Sequence, residues 1–551
     1  MTTTRDTAGA RAESGMTKTT IRKLLIIASC AMFTLMPPMA VADIEGGKQV
    51  LRRANGAEPS SLDPQLMTGT WESAIISDLF EGLLTRDADG GSIPGVAESW
   101  DISDDGLNYT FYLRGDAKWS DGTPLTADDF VYAWRRILSP ELAAPYAYML
   151  YPILNARAYN QGEQPADVLG VEASDDHTLS VTLARPTGYF LEMLSHASTY
   201  PVPRVAIEQY GSDWTKPGHM ISNGAFELTE WVSHDHIAAV KNPDFHDAAN
   251  VALDEVRFLP IDDGRAALNR FRAGEVDMTS SVPTDRIEWA RENLPDALHE
   301  TPTLATFYFA FNQRPGSVLN DPRVREALNL AVRRDIITTQ ITKLNQPLAY
   351  SLVPTAISHY DGPKFDFAHE PMDERFAKAK ALMKEAGYGP ENPLHLTIDY
   401  ITNQDTKRIP VAMAAMWKPL GVEVTLTNSD AAVYYSKLRQ GDFQIGMAPW
   451  NADYNDASNF LDLFRTGVPN NHSGYSNADY DAMMERASNE LDLDKRARLM
   501  ADAEGILLDD YAMLPLYFYI RPALVSPSLF GWRESPMDDH LSRWMHFEDP
   551  E

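Results

Sequence analysis

The residues best suited to chemistry are Trp450, Asn451, Ala452, Asp453, Tyr454, Asn455 and Asp456. One carboxylate, Asp453, stands between two large aromatics, directly after an apolar, strand-like run over residues 443–449. An acid beside indole and phenol rings suits a cation with an apolar neighbour, such as the free amino end of a peptide. The same stretch also reads as a turn in which Asp456 caps a helix starting near Ala457.

Other chemistry finds little footing. The chain has no Gly-x-x-x-x-Gly-Lys-Ser/Thr loop, no Gly-x-Gly-x-x-Gly, no Gly-x-Ser-x-Gly and no His-Glu-x-x-His. His234-Asp235-His236 comes nearest to a metal cluster, but adjacent residues on a strand point to opposite faces. Residues 453–458 lack the acid or amide at the fifth place and the glycine at the sixth that a calcium loop needs. No cofactor and no metal is expected.

The N-terminus reads as an export signal. Lys18, Arg22 and Lys23 precede an uncharged run over residues 24–36, followed by Pro37, Pro38 and the small-x-small triplet Ala40-Val41-Ala42. Cleavage is expected after Ala42, leaving residues 43–551 in the periplasm. The one cysteine, Cys30, also allows a lipoprotein acylation signal, although apolar residues continue beyond it. With soluble export the remaining chain carries no cysteine, and a chain of this length can build its core without disulfides. The formal net charge of −30 makes a surface that repels nucleic acid and anionic membranes.

Strand and helix patterns alternate throughout. Residues 109–113 are rich in β-formers, and Ser120-Asp121-Gly122 marks a turn. Thr126 and Asp129 then read as an N-cap with its third-position acid, ahead of a helix bearing Phe130, Trp134, Ile137 and Leu138. Asp321-Pro322 starts another helix, with Val324, Leu328 and Ala331 as its buried stripe. Residues 394–400 alternate as a strand, 407–417 read as a helix, and 422–426 alternate again. That order implies a parallel βαβ unit with a right-handed crossover.

One pattern recurs. Arg272-Ala273-Gly274-Glu275 and Arg439-Gln440-Gly441-Asp442 both read as a helix ending on glycine, then an acid, then a short strand, and an apolar strand precedes each. Two lobes of similar build would explain the repetition. Phe307 to Asn312 and Tyr517 to Ile520 read as strands buried on both faces. Tyr146 and Tyr148 lie in a proline-bounded loop that could wall a cleft.

These residues fall into a known pattern. The chain resembles the extracytoplasmic solute-binding proteins of peptide ABC transporters, the oligopeptide-binding type of solute-binding family 5. The resemblance rests on residues 78–83 (DLFEGL), 94–100 (PGVAESW), 117–124 (AKWSDGTP), 222–226 (SNGAF), 321–328 (DPRVREAL), 450–454 (WNADY) and 514–517 (LPLY), in the family's order. It implies an α/β, two-lobed periplasmic-binding-protein fold, type II-like, with a ligand cleft between the lobes. Lobe I would span residues 43–308 and the returning 521–551, with an extra subdomain inserted near 81–204; lobe II would span 309–520. The expected partners are a short peptide and the permease subunits of an ABC importer, the protein itself being a monomer and not an enzyme.

The resemblance also implies roles. Asp453 would hold the peptide's α-ammonium, a charge-assisted contact worth roughly 1.5–3 kcal/mol. Backbone groups around Trp450, Asn451 and Ala452, and around Thr70 and Trp71, would pair with the peptide as an added strand. Tyr146 would be a further contact. The pattern departs at Met447, where some members carry an arginine for the peptide carboxylate, and no histidine stands near Asp405 and Thr406. The ligand could therefore have a blocked or distant C-terminus, or be a modified peptide, an opine, a metal chelate or haem. An exported hydrolase working through paired carboxylates is the alternative outside the family.

Overall fold

The computed structural model describes residues 44–45, 47–402 and 404–548. The expected leader and its cleavage site lie outside the described residues. Two hydrophobic cores organise the rest. The first gathers Leu51, Leu79, Phe111, Trp134, Phe226 and Val256 together with Val525, Met545 and Phe547 from near the chain's end. The buried residues of the second come from the intervening chain, including Phe309, Leu328, Ile398, Trp417, Phe460 and Leu514.

A mixed sheet underlies each core. In the first, Lys48–Ala54 lies beside Glu255–Leu259, then His236–Lys241 and Phe226–Val232. In the second, the order is Val422–Ser429, Leu394–Ile401, Ile445–Met447 and Leu298–Phe311. A separate four-stranded antiparallel sheet, built from Ala97–Ile102, Asn108–Leu113, Thr178–Thr182 and Val171–Asp175, packs on the first core.

The recurring pattern is one supersecondary unit used twice. Glu255–Leu259, the helix Gly264–Arg272 and Met278–Thr279 wind around Lys48–Ala54, both strands parallel to it. Val422–Ser429, the helix Ala431–Gln440 and Ile445–Met447 do the same around Leu394–Ile401. Each helix stops at a glycine in the left-handed region, Gly274 at φ 71 and Gly441 at φ 72. A β-carbon disfavours that conformation, so glycine releases the chain into the next strand at low cost.

Local signals act as the sequence implies. Thr126 and Asp129 form a capping box, with Thr126 N–H donating to Asp129 Oδ2 at 2.8 Å. The helix Ala127–Ile137 then buries Phe130, Trp134 and Ile137. Asp321 caps Pro322–Leu330 by accepting from Arg323 N–H at 3.0 Å. Leu394–Ile401 and Val422–Ser429 pair in parallel over their full length, joined by the helix Gln404–Trp417. All residues from Leu304 to Phe311 are buried, as a strand covered on both faces requires. Tyr519 and Ile520 are only half-buried, so the second aromatic run is covered on both faces only at its start.

Leu298–Phe311 and Met513–Leu524 pair antiparallel from Leu298↔Leu524 to Ala310↔Met513. They carry the chain twice between the cores. The loops that meet around these crossings hold the residues of interest.

Candidate ligand-binding cleft

A cavity of 440 Å³ opens beside the crossing strands, within the size range of small-ligand sites. Thr70, Tyr146 and Tyr148 reach it from the first part of the chain, and Tyr308, Trp450 and Asp453 from the second.

The wall bearing Asp453 is built by an edge strand. Trp450 and Asn451 pair antiparallel with Thr306 and Ala305. Ala448 N–H donates to Tyr308 O and Ala452 N–H to Leu304 O, each at 2.8 Å. Backbone groups alternate in such a ladder, so those of Asn451 face away from the partner strand, and Asn451 is exposed. Asn459 pins both ends of this stretch: its Oδ1 accepts from Trp450 Nε1 at 2.7 Å and from Asp453 N–H at 3.3 Å.

Asp453 is half-buried on the cavity wall, and its Oδ2 accepts from the Tyr148 hydroxyl at 2.7 Å. Burial raises its pKa to about 6, against the lowering effect of the hydrogen bonds from Tyr148 and Asn459. The same burial and the nearby Asp453 charge push the Tyr148 hydroxyl well above its ordinary value, so it stays a donor.

Other charged groups along the cavity lie beside a group of opposite sign. Arg86 Nε lies 2.8 Å from Asp539 Oδ2, and Arg521 Nε lies 3.3 Å from Asp538 Oδ2. Burial lowers His196 to about 3 and His472 to about 4, which leaves both neutral near pH 7. Among the described residues, Asp453 has no cationic partner. A desolvated carboxylate in that position stabilises an incoming cation more than a hydrated one would.

The two readings of residues 450–456 divide between two acids. Asp456 accepts from Ser458 N–H at 2.8 Å at the start of Ser458–Leu461 and is held by both Nη atoms of Arg496. Asp453, three residues earlier, faces the cavity.

Thr70, Tyr146, Trp450, Asn451, Ala452 and Asp453 all line this cavity. Trp71 does not; its ring lies over Gly69, and its carbonyl accepts from Asn55 Nδ2 at 2.7 Å. That carbonyl is therefore occupied. Tyr454 also turns away, stacking on Tyr189 with ring centres 5.1 Å apart. Trp450, Tyr146 and Tyr148 are among the rings that line the cavity with Asp453. Met447 is buried in its strand opposite Phe309, its carbonyl accepting from the Tyr434 hydroxyl at 2.6 Å.

Sequence reasoning missed Tyr148 as the partner of Asp453, Asn459 as the clamp and Arg521 on the wall. Tyr148 left a partial signal, since it alternates with Tyr146 in their shared proline-bounded loop. Asn459 and Arg521 left none, because their positions depend on strand pairing.

The profile of the bacterial extracellular solute-binding proteins, family 5 middle region, matches residues 92–472. The periplasmic oligopeptide-binding protein OppA of Escherichia coli is 39% identical over 547 residues, covering 96% of this chain and 99% of the relative. Among solved structures, the murein tripeptide binding protein MppA of Escherichia coli superposes with a TM-score of 0.82 at 37% identity, covering 91% of this chain and 99% of that one. OppA of Haemophilus influenzae in complex with RPPGFSPFR gives 0.80 at 35% identity, with the same shares. The chain belongs to the bacterial extracellular solute-binding proteins of family 5.

Proposed function

We propose that this protein is the periplasmic solute-binding component of an ABC importer and that it captures short peptides by their free amino end. Asp453 is the ammonium anchor. The outward-facing backbone of Asn451 adds main-chain pairing, and Trp450, Tyr146 and Tyr148 cover the first residue of the ligand. Lobe I is read as residues 43–308 with 521–551, carrying the inserted 81–204, and lobe II as residues 309–520. The permease subunits of the importer are its expected partner.

The observation that carries this reading is a half-buried carboxylate on the wall of a cavity, hydrogen-bonded to a neutral phenol and matched by no cation among the described residues. The relatives add to it: OppA is named for oligopeptides and MppA for a murein tripeptide. Hydrolysis through paired acids gains no support from the cavity. The other acids lining it are Asp538 and Asp539, each beside its own arginine.

Calorimetry with tripeptides carrying free or acetylated amino ends tests the proposal. The free amines should bind and the acetylated ones should bind far more weakly; equal affinities would remove Asp453 from its role. Mass spectrometry of ligand retained through purification should find peptides, and a non-peptide species there would redirect the reading to another solute.

A further inference from the structure

The cavity wall that carries Asp453 also carries a cation with unused capacity. Arg521 lies on Met513–Leu524, opposite Thr301 of the other crossing strand. Its side chain is one-third exposed and lines the cavity. One of its five N–H groups donates to Asn451 Oδ1 across a long 3.3 Å. Its Nε is buried and makes no hydrogen bond, although Asp538 Oδ2 is 3.3 Å away, because the geometry of that ion pair is poor. Thr303 Oγ1, on the same wall, is buried without a hydrogen-bond partner as well.

The contrast with Arg86 is direct. Arg86 is 4% exposed, donates to Gly90 O at 3.0 Å and pairs with Asp539 at 2.8 Å. It is consumed by the fold. A planar guanidinium with open N–H groups on a cavity wall suits a carboxylate taken in two parallel hydrogen bonds.

Position sets the ligand. Asn451, which Arg521 touches, is two residues from Asp453, so their backbones are at most about 7 Å apart. A ligand gripped at both points carries its negative group close to its positive one. Resting on the peptide-capture reading, we propose that Arg521 is a specificity-determining residue that binds a ligand carboxylate lying one or two residues from the α-ammonium. Two sources share that chemistry: the C-terminal carboxylate of a di- or tripeptide, and an acidic side chain at the second position of a longer peptide.

Paired titrations separate the sources and test the residue. Ala-Ala and Ala-Ala-Ala are compared with their C-terminal amides, and Ala-Asp-Ala-Ala amide with Ala-Asn-Ala-Ala amide. The wild type should prefer the acid member of at least one pair by about tenfold or more. Arg521→Gln should bind both members of that pair equally, and Arg521→Lys should keep part of the preference. The first two pairs report the terminal carboxylate and the third the side chain.

A wild type indifferent in all three pairs overturns the proposal, as does an Arg521→Gln protein that keeps the full preference. Acetylating the amino end distinguishes this failure from failure of the parent reading. If acetylation abolishes binding while Arg521→Gln changes no preference, only the role of Arg521 falls. If acetylation is without effect, or no peptide binds, both fall. Circular dichroism and thermal unfolding of Arg521→Gln establish that the variant is folded, and Arg521→Lys supplies a second reading if it is not.

Discussion

The hydroxyl of Tyr148 donates to Asp453 Oδ2 at 2.7 Å across a separation of 305 residues. The phenol occupies one lone pair of a carboxylate that burial has already made reluctant to ionise, with a pKa near 6. The acid is thus oriented without being neutralised. Under the proposed function, an approaching ammonium would meet a carboxylate whose geometry is set and whose charge is unspent.

Asp453→Asn should weaken binding of free-amine peptides by about 2–5 kcal/mol, since the ligand's charge would be buried unpaired. Calorimetry on the purified variant measures this. Removing an unmatched buried charge costs the fold nothing, so the thermal midpoint of the unliganded variant should not fall at pH 7.

Binding should also move protons. The free protein holds Asp453 near 6, and a bound ammonium pulls it lower, so the complex holds fewer protons than the free protein as pH crosses that range. Affinity should therefore rise as pH increases through about 6, and fall again near pH 8 as the ligand's own amine deprotonates. Titrations in buffers of differing ionisation enthalpy should detect proton release near pH 5.5 for the wild type and none for Asp453→Asn.

Tyr148→Phe removes a hydrogen bond that favours the ionised carboxylate. The lower pH midpoint of the affinity profile should move upward in this variant. An unchanged midpoint would mean that Tyr148 only packs against the acid.

Asp456 should behave in the opposite way. Arg496 is 3% exposed, grips Asp456 through both Nη atoms and lies over the Tyr189 ring at 4.6 Å. Arg496→Ala leaves a largely buried acid without its partner and should destabilise the fold by about 3–5 kcal/mol in chemical denaturation. Asp453→Asn in the same assay should show no comparable loss.

Glu504 offers a second pH test, on stability alone. Its Oε1 accepts from Leu352 and Val353 N–H at 2.7 and 2.9 Å, its Oε2 from the Tyr360 hydroxyl at 2.6 Å, and burial raises its pKa to about 7. A folded-state value above the unfolded one means the native state holds the proton more tightly. Stability should then decline as pH rises from about 4 to 7 and level off above. Glu504→Gln, which keeps the accepting oxygen, should flatten that segment of the profile.

The range of the forces involved decides how much the amino-acid order discloses. Caps such as Thr126 with Asp129 are contacts between neighbours, and their residue types announce them. The glycines at 274 and 441 are equally local, since a left-handed residue is a property of one position, and the unit they close is found twice in the structure. Asp453 lies two residues beyond the short edge strand Trp450–Asn451, so its place on the cavity wall beside Trp450 follows from local chain order. Tyr454 packs behind the cavity wall, stacked on Tyr189 and clustered with Tyr146 and Tyr148, and does not line the cavity itself. Trp71 lies in the first turn of the helix Thr70–Leu79, and its carbonyl accepts from Asn55 of another loop, a contact that sequence neighbours do not announce. Tyr148, Asn459 and Arg521 acquire their meaning only when the two crossing strands align.

A crystal structure of the protein with a bound free-amine tripeptide is the most direct test of the central claim. The terminal nitrogen should sit roughly 2.7–2.9 Å from a carboxylate oxygen of Asp453. A bound peptide whose amine points to solvent, or is held by another acid while Asp453 keeps only Tyr148, would contradict the account.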